Sequence, residues 1–258
     1  MMDTSTNELI IVLKYDHLLI ISTYTRTVLI LVTVLIGVML LVIIISCQLK
    51  SLIIQFAAYY LIVVGILLVI ASVIALLIAF VKKINEKYPL NVSLAIIYSI
   101  CVATVVGILD LNLDLSIQIS AFIINLTIFI PALLIGASIK TNLMDSFKVL
   151  FIILPVISAV IISAMVFIYY FKGNVKVVII LFICAEILPF ITTIFFSHFT
   201  VGTLRYRLFY PNYTLAALLL YIMFSIALPI TDVLVYTIRN NWNVTHSTGL
   251  LLDNDKIL

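Results

Sequence analysis

The chain is 258 residues long, 65% hydrophobic and only 10% charged, with a mean hydropathy of +1.37. An ordinary soluble domain is about 45–50% apolar and about 25% charged, so this composition excludes a water-soluble enzyme or binding module and, being so rich in apolar residues, a disordered chain as well. A net charge of +3 says little; the 14 basic and 11 acidic residues are informative through where they sit.

In chain order, Met1 to Arg26 carries Asp3, Glu8 and Asp16 and no small-residue cleavage site, which reads as a tail rather than a removable signal peptide. Uncharged stretches of 23, 31, 22, 25 and 23 residues then follow between Arg26 and Lys50, Lys50 and Lys82, Lys87 and Asp110, Asp114 and Lys140, and Lys148 and Lys172. Two longer stretches, Lys176 to Arg205 and Arg207 to Arg239, are broken only by Glu186 and Asp232 respectively. A membrane crossing takes about 20 apolar residues, so the expected spans are 27–47, 53–80, 90–109, 115–137, 149–170, 177–200 and 213–238. Helices are expected throughout, because a backbone in lipid must bond to itself and barrel-like alternation is missing. The expectation is an all-α membrane protein, a bundle of seven transmembrane helices at 27–238 between a 1–26 tail and a 239–258 tail.

Nine Lys and Arg residues fall on the N-terminal side of this arrangement and five on the other. The positive-inside rule therefore puts the N-terminus in the cytosol, with the cluster Lys82, Lys83 and Lys87 as its firmest marker. Asn243, in Asn243-Val244-Thr245, is the one glycosylation sequon expected on the lumenal side; glycan at Asn91 or Asn212 would overturn the orientation. Cys47, Cys101 and Cys184 all fall inside spans and read as small apolar residues rather than a disulfide framework.

Enzyme signatures are missing: there is no H-E-x-x-H, no G-x-S-x-G and no Gly-rich phosphate loop. His17, His198 and His246 have no His or Cys at ligand spacing. Neither a cofactor nor a nucleic-acid partner is expected, and the first partner is the lipid bilayer. A G-protein-coupled receptor is disfavoured, because Gly107-Ile108-Leu109-Asp110 stands where an acidic-Arg-Tyr triplet would close the third span.

Glu86-Lys87-Tyr88-Pro89-Leu90-Asn91, leading into the third span, resembles the corresponding approach in the Bax inhibitor motif family, also called the lifeguard or transmembrane Bax inhibitor proteins. Tyr98-Ser99, Asp114, Ser120-Ala121-Phe122 and Ile139-Lys140-Thr141-Asn142-Leu143 are similar to family motifs in the same order. Tyr213, Ala216, Ala217 and Tyr221 resemble its last-span signature, and Arg26 its basic lead into the first span. The resemblance covers roughly residues 26–238 at low identity. It implies a compact seven-helix bundle in endoplasmic reticulum or Golgi membranes, suppression of cell death through cell-death regulators, and a proton-sensitive Ca2+ leak carried by paired carboxylates. Two carboxylates close together in a low dielectric share a proton, which makes their charge a pH-dependent gate.

This sequence departs from the family at its acidic positions. The regions that carry them fall on Ile194–Phe199, Met223, Val102 and Asn142, all without a carboxylate. Two acids remain inside spans: Glu186, about nine residues or roughly 14 Å from the lumenal end by helical rise, and Asp232, near the lumenal end of the last span. They read either as a displaced lumenal site, or as a Glu186 bonded to a polar neighbour and an Asp232 reaching lumenal water. His198, near the cytosolic end of its span, reads as a replacement titrating group or as an interfacial histidine without a role. Two functions follow: a modulator of cell death or calcium homeostasis, or a virus-encoded membrane protein that acts on host membrane proteins or immune recognition without conducting ions.

Overall fold

The computed structural model describes residues 4–50, 59–85, 87–109, 113–139, 175–201 and 212–254. Every long element among them is a helix: α1 (Thr4–Gln48), α2 (Tyr60–Phe80), α3 (Leu90–Leu109), α4 (Leu115–Ser138), α5 (Val175–Thr200) and α6 (Tyr213–Asn254), with a single helical turn at Lys82–Asn85. All six are long and apolar enough to cross a membrane, so the chain is a multi-pass integral membrane protein. The expected span at 149–170 and the motif at Lys140-Thr141-Asn142-Leu143 lie outside the described residues.

The two terminal helices outrun their membrane segments. In α1 the apolar crossing is Thr23–Gln48 and in α6 it is Tyr213–Arg239, yet the helices begin at Thr4 and continue to Asn254. Arg26 and Arg239 thus mark an edge of the bilayer without ending a helix. Backbone bonding is local and persists into water, whereas hydropathy reports only the depth at which charge becomes costly.

Helix directions follow from which residues meet. Asn91 touches Tyr213 and Ser99 touches Tyr221, both pairs 122 residues apart, so α3 and α6 run parallel. Ser99 also bonds to Leu35 on α1, while Gly107 lies against Ser46 further along, so α1 runs parallel to them. Helix α4 meets α6 at Ser116–Arg239 and at Asn125–Phe224, an antiparallel pairing. Helices α4 and α5 run parallel to each other: Leu133 and Gly136 meet Ser197 at one end, and towards the other end Asn125 and Ile128 share a cleft with Glu186 and Pro189.

The core is centred on α6, whose Ala216, Ala217, Leu220, Tyr221 and Phe224 are fully buried against α1, α3 and α4. Phe224 packs edge-to-face on Phe122 and Phe129 with ring centroids 5.4 and 5.3 Å apart, a geometry each pair favours by about 0.5–1.5 kcal/mol. The outer surface is correspondingly apolar. Leu41, Ile62, Val69 and Leu134 are each more than 60% exposed, far more contiguous apolar surface than a water-facing protein carries and suited to acyl chains.

Candidate functional site

Two polar regions lie inside the bundle. The first joins the beginnings of α3 and α6 and brings together residues of two motifs far apart in sequence. Asn91 is 1% exposed; its amide donates to the Tyr213 hydroxyl at 3.3 Å, and its carbonyl oxygen accepts from the Val92 N–H at 2.8 Å. Two turns deeper, Tyr221 donates to the Ser99 carbonyl at 3.2 Å and sets its ring edge-to-face on Tyr98 at 6.1 Å, while the Ser99 hydroxyl donates to the Leu35 carbonyl at 2.9 Å. Ala216 and Ala217 let the helices approach along this seam, being fully buried and small. Lys87, Tyr88, Pro89 and Leu90 are exposed at the surface before it. This arrangement ties three helices together and has no ionisable acid, so it reads as structural.

The second region lies between α4, α5 and α6, nearer the start of α5. Glu186 is 8% exposed and accepts a hydrogen bond from the Thr231 hydroxyl of α6 at 2.5 Å. The same hydroxyl oxygen lies 3.1 Å from the Ala227 carbonyl. These contacts accommodate either protonation state. An ionised Glu186 takes the Thr231 proton; a protonated one donates to the Thr231 oxygen, whose own hydrogen then turns to Ala227. Asp232, the next residue on α6, is 1% exposed and so is enclosed by protein. Glu186 therefore has the polar neighbour that one sequence reading asked for, and Asp232 does not reach the surface.

His198 is not part of this cluster. It is fully buried on α5, in edge-to-face contact with Phe199 at 5.5 Å, and neither ring nitrogen has a hydrogen-bond partner among the described residues. Twelve residues separate it from Glu186, about 18 Å along the helix axis. The structure thus brings Glu186 and Thr231 together, buries Asp232 one residue further along α6, and leaves His198 apart.

Three contributors were not singled out from sequence. Thr193 follows Glu186 by seven residues and so shares its face of α5. Asn125 lies in the middle of α4; it is 2% exposed, and its amide donates to the Phe224 carbonyl at 3.0 Å. Thr231 stands beside Asp232. The available signal was helical spacing of polar residues around an intramembrane acid, read on all three helices at once. Among the described residues no group of three or more His, Cys, Asp or Glu is placed to hold a metal ion.

No family model, curated protein or solved structure matches the chain.

Proposed function

We propose that this protein is a seven-span membrane protein of the Bax inhibitor type that modulates cell death or intracellular ion homeostasis, with its ionisable centre at Glu186, Thr231 and Asp232. The observation that carries this reading is the burial of two carboxyl side chains within membrane-spanning helices, Glu186 between α4, α5 and α6 and Asp232 on α6. An acid within a membrane bundle is costly, and such groups mark ion or proton pathways. In place of the family's carboxylate positions, which are neutral here, the acids stand nearer the lumenal ends of the same two helices.

The parallel course of α4 and α5 supports the seven-span count. A chain that leaves α4 at Ser138 must return to the opposite face before α5 starts at Val175. The stretch between Lys148 and Lys172 supplies 23 uncharged residues for that crossing, enough at about 1.5 Å per residue for a ~30 Å hydrocarbon core. With the N-terminus cytosolic and seven spans, the C-terminus is lumenal, and residence is in endoplasmic reticulum or Golgi membranes.

The test is lumenal calcium in cells expressing the intact chain, Glu186→Gln or Asp232→Asn. Lowered lumenal calcium that either substitution restores supports the reading. Unchanged calcium together with loss of host receptors from the cell surface would instead support the virus-encoded interaction protein.

A further inference from the structure

The α4–α5–α6 interface holds a small cleft with a cavity volume of about 10 Å³, lined by Asn125 and Phe129 of α4, Glu186 and Thr193 of α5, and Met223 and Ala227 of α6. A single water needs about 10–15 Å³ of such space, so the cleft has room for no more than one water molecule or one small ion. The three polar side chains that line it are each exposed by 8% or less. The Asn125 amide gives one of its two hydrogens to the Phe224 carbonyl at 3.0 Å, and the Thr193 hydroxyl gives its hydrogen to the Pro189 carbonyl at 2.7 Å. Ionised, Glu186 contributes acceptors alone, one oxygen already taken by the Thr231 hydroxyl.

Oxygens therefore remain: the second Glu186 carboxylate oxygen, Asn125 Oδ1 and the lone pairs of Thr193. Pro189, which also lines the cleft, has no N–H to give the Ala185 carbonyl, leaving another oxygen without its helical partner next to Glu186. A lining of oxygens with one formal charge calls for a cation. Calcium ordinarily takes 6–8 oxygens with several carboxylates among them. Here α4 brings no ionisable side chain to the cleft, and Asp232 of α6 is not among the residues that line it. A singly charged ion neutralises Glu186 one for one, which removes the cost of an isolated charge in low dielectric.

We propose that this cleft binds one monovalent cation of sodium size, coordinated by Glu186, Asn125 and Thr193. The proposal rests on Glu186 being the ion-handling centre and specifies the ion it takes.

The test is thermal unfolding of the purified full chain in choline chloride, NaCl, KCl and CaCl2 at matched ionic strength. Sodium should raise the Tm saturably, and more than potassium. Glu186→Gln, which keeps the side-chain shape, should abolish the effect; Thr193→Val, which keeps the volume, should raise the half-saturating sodium concentration about tenfold, the loss expected of one ligand. Asn125→Asp, by adding a second carboxylate, should turn the preference towards calcium. Equal Tm values in choline and sodium would overturn the proposal. So would sodium stabilisation that survives Glu186→Gln, or calcium acting on the wild type at lower concentration than sodium. If Glu186→Gln alters calcium in cells while sodium leaves the Tm unchanged, the cation site fails and the ion-handling reading stands.

Discussion

Gly136 is the residue on which the packing of α4 against α5 depends most sharply. A Cβ built there would collide with the Ile194 carbonyl oxygen and stand 2.7 Å from the Ser197 Cβ and 3.0 Å from the Ile194 carbonyl carbon. Two of these three atoms are backbone, so a rotamer change cannot relieve the overlap and the helices must separate. Separation also strains the Ser197 hydroxyl bond to the Leu133 carbonyl, now 2.7 Å. Overpacking of this kind costs about 1–3 kcal/mol, and an interhelical hydrogen bond in a membrane bundle contributes about 0.6 kcal/mol. Gly136→Ala should therefore destabilise by about 2–3 kcal/mol, which at about 2–4 °C per kcal/mol for a chain of this size lowers the Tm by roughly 5–10 °C. Gly37 and Gly65 provide the controls, since a Cβ at either meets nothing within 4 Å. Alanine there should be neutral or slightly stabilising, because glycine in a helix costs about 0.5–1 kcal/mol relative to alanine. The assay is thermal unfolding of the three purified variants in one detergent. A Gly136→Ala protein as stable as Gly37→Ala would refute the close parallel contact, and with it the support for a crossing between α4 and α5.

Tyr221→Phe removes the bond to the Ser99 carbonyl but keeps the ring on Tyr98, so it should cost under about 1 kcal/mol. Tyr221→Ala should cost about 3–5 kcal/mol, as for a buried aromatic, and denaturant or thermal unfolding reads both. A cysteine introduced at Ser138 and one at Lys176, each in a chain without its native cysteines, should react with an impermeant thiol reagent from opposite faces of the membrane. Labelling from the same face would contradict the parallel α4–α5 pair.

Where charge interrupts apolar sequence, the sequence located the structure well. The expected spans 90–109, 115–137 and 177–200 coincide within two residues at each end with α3, α4 and α5. The ends of α1 and α6 were not legible in the same way, because Arg26 and Arg239 record contact with water and helices continue through them. Asn91 and Tyr213 were noticed separately as parts of motifs, yet nothing in their spacing says that they touch; that depends on α3 and α6 lying parallel and in register. The same holds at the acidic centre. Glu186 and Asp232 stand out in otherwise uncharged spans, whereas Asn125 and Thr193 are ordinary polar residues until three helices place them around one cleft, and Thr231 until α6 sets it on Glu186.

In the proposed function, Glu186 is the working group of an ion-handling centre. Its measure is cation flux from vesicles reconstituted with the purified chain, compared with the Glu186→Gln chain at equal incorporation. Flux should be present with the wild type and fall at least about tenfold with Glu186→Gln, the change that accompanies about 1.4 kcal/mol at a single site. Equal flux from the two proteins, or none from either, would contradict it.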